Sequence, residues 1–277
     1  MSLPTLCGGG AIILWASLAA VSRAAGPIPP LELTALAFVV SSVLGLAVLG
    51  ARGRLADLRQ PPLVWAHGIV GLAGFHALYF TALALAPAAQ ANLLNYSWPL
   101  LIVLFSAALP GMRLKPMHLV GVALGAVGCV MLIGGGPIAA GAWPGYLAAM
   151  GSAVIWAGYS VLARLLRAVP TGAVVGFCAA SAAVVLAGHL LFETTVWPDA
   201  QGWVAVLALG LGPMGAAFFL WDIGMKRGDP RLLGTLAYAT PVASTLLLVA
   251  SGLAPWSASL AVAAALVTLG GVLAARA

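Results

Sequence analysis

Long apolar runs with almost no charged residues dominate this sequence of 277 residues. Only 6% of the residues are charged, 63% are hydrophobic, and the mean hydropathy is +1.11. A soluble domain needs roughly a quarter to a third of its surface residues to be charged, so this composition excludes one. The outer surface must instead face lipid, and membrane lipids are therefore expected partners of the chain.

Ten of these runs are long enough to cross a bilayer, because about 20 residues of helix, at about 1.5 Å each, span its hydrocarbon core. Proline, glycine and arginine separate the runs, and no interval between them is long enough for a soluble domain. The predicted spans are 5–24, 31–50, 62–84, 87–109, 115–134, 142–163, 171–192, 202–225, 232–251 and 255–275. The sequence thus predicts an all-α integral membrane protein with ten transmembrane helices.

The distribution of lysine and arginine predicts which side of the membrane each loop faces, because these residues are retained in the cytoplasm during insertion. With a cytoplasmic N-terminus, eleven of the twelve basic residues fall in inner loops or at the C-terminus, and only Arg23 lies outside. Both termini are then cytoplasmic, which requires an even number of spans. The basic residues form no continuous stripe, so nucleic acid is not an expected partner.

Residues that could carry enzyme chemistry are scattered along the chain. Cys7, Cys129 and Cys178 lie in three separate spans, and the four histidines lack the spacing of metal ligands. The sequence contains no Ser/His/Asp set, no phosphate-binding loop and no pair of carboxylates within the spans. We therefore expect a protein that is not an enzyme and that holds no metal, haem or other cofactor.

An internal repeat relates the two halves of the chain at an offset of 141 or 142 residues. The aligned residues are Trp15 with Trp156, Arg23 with Arg164, Tyr79 with Trp221, Tyr96 with Tyr238, and Pro99 with Pro241. Each half holds five spans, an odd number, so the second half must enter the membrane from the opposite side. We expect two inverted five-helix repeats, residues 1–138 and 139–277, with a substrate site near the midplane between them.

The sequence resembles the drug/metabolite transporter superfamily, in its ten-helix EamA-type branch. The resemblance rests on the ten-span pattern, on the mid-span Trp15 and Trp156, and on Tyr96-Ser97-Trp98-Pro99 with its counterpart Tyr238-Ala239-Thr240-Pro241. Within the branch the chain is most similar to YddG-type exporters of aromatic and other amino acids. It departs from many EamA sequences in lacking an arginine early in the second span, where Glu32 is the one charge. The resemblance implies an exporter of the bacterial inner membrane with amino acids as substrates.

Aromatic and polar side chains near the middle of the spans predict a central pathway. Trp15, Trp98 and Trp156 lie too deep for an interfacial belt, and a buried indole N–H needs a partner that a cavity can offer. The residues expected to border the pathway are Trp15, His76, Tyr79, Asn92, Tyr96, Trp98, Trp156, Tyr159, Trp221, Tyr238 and Ser244. The alternative is that the same residues pack helix against helix and hydrogen-bond across the contacts.

Prolines within the spans predict hinges for alternating access, since proline removes a backbone hydrogen bond and frees the carbonyl four residues earlier. The predicted hinges are Pro99, Pro213 and Pro241. Pro99 would free the carbonyl of Asn95, and Pro241 that of Ala237. A free carbonyl beside aromatic rings suits the ammonium group of an amino acid.

Apart from Glu32 at the outer end of the second span, Asp222 is the one carboxylate placed within a predicted span, and proton-coupled transporters usually need such a group in the pathway. Lys226 lies four residues later on the same helix face, so a local ion pair explains Asp222 without transport chemistry. We therefore expect facilitated export down the solute gradient. We also expect the protein to act as a monomer. The alternatives are proton coupling through Asp222 or His76, export of another small metabolite or a drug, and an integral membrane enzyme.

Overall fold

The computed structural model describes residues 1–133, 141–250, 252 and 256–277. Every regular element in these ranges is a helix, which confirms the all-α prediction for them. The helices before residue 134 are α1 (Leu3–Ala16), α2 (Leu18–Ala24), α3 (Pro30–Ala51), α4 (Pro62–Ile69), α5 (Phe75–Leu85), α6 (Ala88–Asn95), α7 (Trp98–Ser106) and α8 (Pro116–Ile133). The helices after residue 140 are α9 (Trp143–Leu162), α10 (Ala173–Phe192), α11 (Ala200–Leu211), α12 (Ala217–Arg227), α13 (Pro230–Leu236), α14 (Ala239–Ala250) and α15 (Ala258–Ala275).

Seven helices in the described part of the chain are long and apolar enough to cross a membrane, when α1–α2, α4–α5 and α11–α12 each count as one. They are Leu3–Ala24, Pro30–Ala51, Pro62–Leu85, Trp143–Leu162, Ala173–Phe192, Ala200–Arg227 and Ala258–Ala275. The apolar helix Pro116–Met131 is shorter. The predicted fourth and ninth spans are each divided into two short helices, α6–α7 and α13–α14.

Both of these divisions lie just before a proline. Pro99 is the second residue of α7, and Pro241 is the third residue of α14. Proline cannot donate to the carbonyl four residues earlier and its ring crowds that carbonyl, so the helix is interrupted there. The prediction that Pro241 frees the carbonyl of Ala237 is nevertheless wrong, because the backbone N–H of Thr240 donates to it at 3.0 Å.

Two π turns interrupt the third and eighth predicted spans at equivalent places. One covers Val70–Gly74 between α4 and α5, and the other covers Gly212–Ala216 between α11 and α12. They begin 142 residues apart, at Val70 and at Gly212, which is an offset of the internal repeat. Short π segments within α-helices are frequent at functional sites.

Helix packing follows the same repeat. α1 packs against α12, and α9, the repeat equivalent of α1, packs against α5. Two further contacts, α3 with α10 and α8 with α15, pair helices that are equivalent in the two halves. At the α8–α15 contact a Cβ on Gly121 would lie 2.6 Å from the carbonyl oxygen of Gly270. Glycine is therefore needed there for the two backbones to approach each other.

Both chain termini lie at one end of the helix bundle, named here the termini end. Thr5 Oγ1 accepts a hydrogen bond at 3.3 Å from the backbone N–H of Asp229, and the carbonyl of Ala277 accepts one from Lys115. The loops that hold Lys115 and Asp229 therefore lie at the termini end. The opposite end, which holds the loops 25–29 and 193–199, is named the far end.

At the far end, two glutamates and a histidine join α3 to α10. The Glu193 carboxylate accepts hydrogen bonds from the backbone N–H groups of Leu31 at 3.0 Å and Glu32 at 3.1 Å. His189 Nδ1 lies 2.9 Å from the same carboxylate, and Glu32 accepts from the Val196 N–H at 2.9 Å. A carboxylate at a helix N-terminus is favourable, so these contacts fix the start of α3 against the end of α10.

Candidate functional site

A cavity of about 590 Å³ lies between the helices and opens at the far end. Its lining includes residues of α1, α2, α3, α5, α6 and α7 from the first half, and of α9, α11, α12 and α14 from the second. Its lining also includes Ser22, Ile28 and Pro30, which lie in or beside the far-end loop 25–29. The volume lies within the roughly 300–1,000 Å³ that is typical of small-molecule sites.

Eight of the eleven residues predicted to border the pathway line this cavity. They are Trp15, His76, Tyr79, Asn92, Tyr96, Trp98, Trp156 and Ser244. Two predicted hinges, Pro213 and Pro241, line it as well. The third, Pro99, is buried, and its carbonyl faces Gly234 at the contact between α7 and α13. The structure therefore brings these eight side chains together around one space.

The other three predicted residues lie outside the lining of this cavity. Trp221 is fully buried, and its Nε1 donates a hydrogen bond to Ser160 Oγ at 2.9 Å. Tyr238 is also buried, with its ring against Gly125 of α8. Tyr159 lines a separate groove beside α9. In this structure Trp221 and Tyr238 are packing residues.

Four tryptophans, two from each half of the chain, cluster at the floor of the cavity, where Trp15, Trp98 and Trp156 line it and Trp221 packs behind them. The ring centroids of Trp15 lie 5.0 Å from those of Trp221 and 5.6 Å from those of Trp156. Trp98 completes the cluster, with centroid distances of 6.3 Å to Trp15 and 6.0 Å to Trp221. Pairs of this kind contribute about 0.5–1.5 kcal/mol beyond the area that they bury, so the cluster stabilises the contact between the halves.

Among the described residues, the lining of this cavity contains no Asp, Glu, Lys or Arg, and two of its polar side chains are hydrogen-bonded within the first half of the chain. The Tyr79 hydroxyl donates to Asn92 Oδ1. His76 Nδ1 lies 2.7 Å from the carbonyl oxygen of Leu72. A carbonyl can only accept, so Nδ1 carries the proton and Nε2 of the neutral ring is an acceptor.

Two further hydrogen bonds join the halves across the cavity wall. Trp15 Nε1 donates to the carbonyl oxygen of Pro213 at 3.0 Å. Ser152 Oγ donates to Asn95 Oδ1 at 2.8 Å, and both of these residues are buried. The partner expected for the Trp15 indole is therefore a backbone carbonyl of the second π turn.

Several lining residues were not predicted from the sequence. Phe218 precedes Trp221 by three positions, so helical spacing from that tryptophan indicates the same face. The Phe75 ring lies 5.3 Å from that of Trp156 and directly precedes His76 in the sequence, which is a weaker signal. Thr34 also lines the cavity, and no spacing in the sequence singles it out.

A buried ion pair closes the space beneath the tryptophans at the termini end. Asp222 Oδ2 accepts from Lys226 Nζ at 2.9 Å and from Thr171 Oγ1 at 2.7 Å. Lys226 Nζ also donates to the carbonyl of Val169 at 2.9 Å. The predicted pair of Asp222 with Lys226 is thus confirmed, and it ties α12 to the loop between α9 and α10. The cavity is open at the far end and closed at the termini end.

Comparison with known proteins gives relatives over the whole chain. The EamA-like transporter family matches twice, at residues 5–134 and at residues 143–276. The aromatic amino acid exporter YddG of Ancylobacter novellus is 54% identical over 278 residues, which is 99% of this chain and 97% of that protein. The aromatic amino acid exporter YddG of Salmonella typhimurium is 25% identical and covers 97% and 95%.

Two further comparisons agree with these. The uncharacterized inner membrane transporter YedA of Escherichia coli (strain K12) is 30% identical over 79% of this chain and 72% of that protein. A crystal structure of a protein that is 53% identical superposes with a TM-score of 0.96 and covers 99% of this chain and 96% of that one. Since the two family matches together cover nearly the whole sequence, the chain belongs to the EamA-like transporter family.

Proposed function

We propose that this protein exports amino acids, aromatic and other neutral ones, across the bacterial inner membrane through the far-end cavity. The observation that carries the proposal is a cavity with tryptophans at its floor and, among the described residues of its lining, no Asp, Glu, Lys or Arg. An aromatic side chain can pack on the faces and edges of such rings, with about 25 cal/mol gained per Å² of apolar surface removed from water. The 54% identity to an aromatic amino acid exporter over nearly the full length supports the same substrate class.

The two charged ends of an amino acid need separate partners in this cavity. The ammonium group can use the acceptor nitrogen of His76 and the faces of the tryptophans, where cation–π attraction amounts to about 0.5–2 kcal/mol. The carboxylate can accept hydrogen bonds from the side-chain amide of Asn92 and the hydroxyl of Ser244, both in the lining. This polar set carries little charge, which suits a zwitterion better than a phosphorylated sugar.

We further propose ten spans in two inverted five-helix repeats, residues 1–138 and 139–277. The two family matches, the π turns 142 residues apart and the reciprocal packing of α1 with α12 and α9 with α5 support this arrangement. The pairs α6–α7 and α13–α14 would each form one broken span, as in transporters whose sites lie beside discontinuous helices. The boundary at residues 138 and 139 lies outside the described residues.

Transport would then proceed by alternating access, in which one repeat rocks against the other about the interruptions near Pro99, Pro213 and Pro241. The open far end and the ion pair beneath the tryptophans support one end state of this cycle. With cytoplasmic termini, as the basic residues predict, that state faces outward.

Exchange in proteoliposomes tests the proposal. Vesicles that hold the purified protein and one unlabelled solute are placed in the same solute in labelled form, in turn for phenylalanine, tryptophan, leucine, a sugar phosphate and a nucleotide sugar. We expect exchange of the amino acids above the level of protein-free vesicles. Exchange confined to the sugar phosphate or nucleotide sugar would favour an exporter of other metabolites, and no exchange of any solute would contradict a transporter of these classes.

Two variants on α9 provide a matched comparison for this assay. Trp156→Ala removes a ring from the cavity floor, whereas Trp143→Ala removes a ring that is 65% exposed at the start of the same helix. We expect phenylalanine exchange to be lost in Trp156→Ala and retained in Trp143→Ala. Equal loss in both variants would mean that the floor has no specific part in transport.

A further inference from the structure

An apolar groove of about 550 Å³ runs between the first π turn and the end of α9. It lies nearer the termini end than the cavity does. On the third span it is lined by His67, whereas His76 lines the cavity nine residues later. On α9 it is lined by Tyr159, one turn beyond Trp156, which lines the cavity.

Tyr159 forms the wall between the groove and the cavity. Its ring stacks on the His67 ring at a centroid distance of 4.7 Å and lies 5.4 Å from the Trp156 ring. On another side, a Cβ added to Gly71 of the π turn would overlap the Tyr159 ring. The ring is thus held between three groups and is only 6% exposed.

The internal repeat relates three residues of this groove to residues that line the cavity. At offsets of 141 and 142, the groove residues Tyr159, His67 and Gly71 correspond to Leu18, Leu209 and Pro213. All three of these equivalents line the open cavity. Leu18 is 37% exposed, whereas Tyr159 is almost fully covered. At the Tyr159 position the repeat is therefore exposed at the far end and covered at the termini end.

We infer that the groove is the closed, termini-side half of the amino acid pathway, with Tyr159 as its gate and His67 as a polar lining residue. This inference rests on the proposed function. Inverted repeats exchange conformations during alternating access, so in the other end state Tyr159 would occupy the exposed position that Leu18 has here. Its ring would leave His67 and Gly71, and the groove would connect to Trp156. His67 would then offer a hydrogen-bonding group to a zwitterion in an otherwise apolar passage.

Gly71→Ala tests this gate, because the added methyl group is incompatible with the closed position of the Tyr159 ring. The matched control is Gly74→Ala, in the same π turn, where a Cβ meets Ile155 at an ordinary 3.6 Å. Spin-label pairs are placed across the groove, at Leu63 and Leu162, and across the cavity mouth, at Ser22 and Ser244. The native Cys7, Cys129 and Cys178 are replaced by alanine in all proteins compared.

We expect Gly71→Ala to add a longer-distance population across the groove and a shorter-distance population across the mouth. Gly74→Ala should keep the distances of the parent. If Gly71→Ala does not give monodisperse protein, Tyr159→Leu replaces it, since leucine is the residue at the equivalent open position. Unchanged groove distances would overturn the inference. Groove widening without narrowing of the mouth would also overturn it, because it would show a local packing defect.

Label distances do not depend on transport, so they separate this inference from the proposed function. Phenylalanine exchange by the unlabelled parent is measured in parallel. If the parent shows no phenylalanine exchange but the label distances change as expected, amino acid export is contradicted and the assignment of Tyr159 as a gate stands. If exchange is normal but the label distances do not change, amino acid export stands and the assignment of Tyr159 as a gate is contradicted.

Discussion

The indole Nε1 of Trp15 donates a hydrogen bond at 3.0 Å to the carbonyl oxygen of Pro213, 198 residues later in the chain. Pro213 lies in the second π turn, where the regular helical hydrogen-bond pattern is interrupted. The same indole ring contacts Trp98, Trp156 and Trp221. The side chain of Trp15 on α1 therefore contacts residues of both halves of the chain at the floor of the cavity.

Trp15→Phe keeps an aromatic ring but removes the N–H donor to Pro213 and one ring of the indole. We expect the free energy of unfolding to fall by about 1–3 kcal/mol, of which the hydrogen bond contributes about 1 kcal/mol and the lost ring packing the rest. Trp15→Ala should lower it by about 3–5 kcal/mol, because it also leaves a hole among the other rings. Thermal unfolding in one detergent measures both, with the exposed Trp143→Phe as control. A melting temperature of Trp15→Phe equal to that of the parent would mean that the bond does not hold the halves together.

Tyr79→Phe removes the hydroxyl that orients the Asn92 side chain in the cavity. If Asn92 binds the substrate carboxylate, its loss of orientation should raise the half-saturating phenylalanine concentration about five-fold, which corresponds to about 1 kcal/mol. Tyr146→Phe is the control, since Tyr146 bonds to Gln90 and does not line the cavity. The concentration dependence of exchange is the measurement. Reduced thermal stability with unchanged half-saturation would assign Tyr79 a purely structural role.

Cysteine labelling checks the orientation that the basic residues predict. Ala56 lies in the Arg-rich 51–61 loop and Thr194 in the loop after α10, and both are exposed. In intact cells a membrane-impermeant maleimide should label Thr194→Cys and should reach Ala56→Cys only after permeabilisation. The opposite pattern would reverse the orientation and make the present cavity open to the cytoplasm.

The long helices could be predicted from the sequence, because each is an apolar run bounded by turn residues. α3, for example, covers Pro30–Ala51 where 31–50 was expected. The broken spans could be anticipated from Pro99 and Pro241. The first π turn could not be anticipated, because Val70–Gly74 contains no proline. The Tyr159 ring packs on Gly71 in this turn, and that contact is between residues far apart in the sequence.

The helix faces that line the cavity could be predicted from the sequence, but not which residues of each face reach it. Trp156 and Tyr159 are three residues apart on one face of α9, yet only the first lines the cavity, since the His67 ring on α4 covers the second. Tyr96 and Tyr238 are equivalent in the repeat, but only Tyr96 lines the cavity. A repeat in the sequence predicts equivalent positions, whereas one conformation of a transporter places them in different environments.

Asp229, in the loop between α12 and α13, should make part of the stability depend on pH. Burial opposes its ionisation, but hydrogen bonds and the charge of Arg231 outweigh burial and hold the pKa of the Asp229 carboxyl below its usual value. Arg231 Nη2 lies 2.7 Å from Asp229 Oδ2. The ionised Asp229 carboxylate therefore adds to the free energy of unfolding above its unfolded pKa of about 3.9, and this stabilisation is lost as pH falls through the lower folded pKa. Asp229→Asn should lower the melting temperature at neutral pH. The difference in melting temperature from the parent should shrink toward about pH 3. A difference that does not depend on pH would assign the effect to packing.

The buried pair of Asp222 and Lys226 should behave as a structural unit. Asp222→Asn leaves the Lys226 ammonium buried without a counter-charge, which should lower the free energy of unfolding by about 3–5 kcal/mol. Replacing both residues, as Asp222→Leu with Lys226→Met, should recover most of this loss, because uncharged side chains of similar volume need no counter-charge. Thermal unfolding of the three proteins measures the effect. Failure of the double variant to recover stability would show that the contacts with Thr171 and Val169 matter more than the charge pair.

The same pair bears on how transport is driven. Asp222 is engaged by Lys226 and Thr171 beneath the floor and is not in the cavity lining, and His76 holds its Nδ1 proton against the Leu72 carbonyl. Asp222 is therefore not placed as a proton carrier, and His76 offers only its Nε2 in a lining whose described residues include no carboxylate. We expect facilitated export, with phenylalanine exchange equally fast with and without an imposed pH difference. Uphill accumulation driven by a proton gradient, and abolished by Asp222→Asn or His76→Ala at unchanged expression, would contradict this expectation and identify the substituted residue as the proton carrier. Uphill accumulation that both variants retain would place the coupling group elsewhere in the chain.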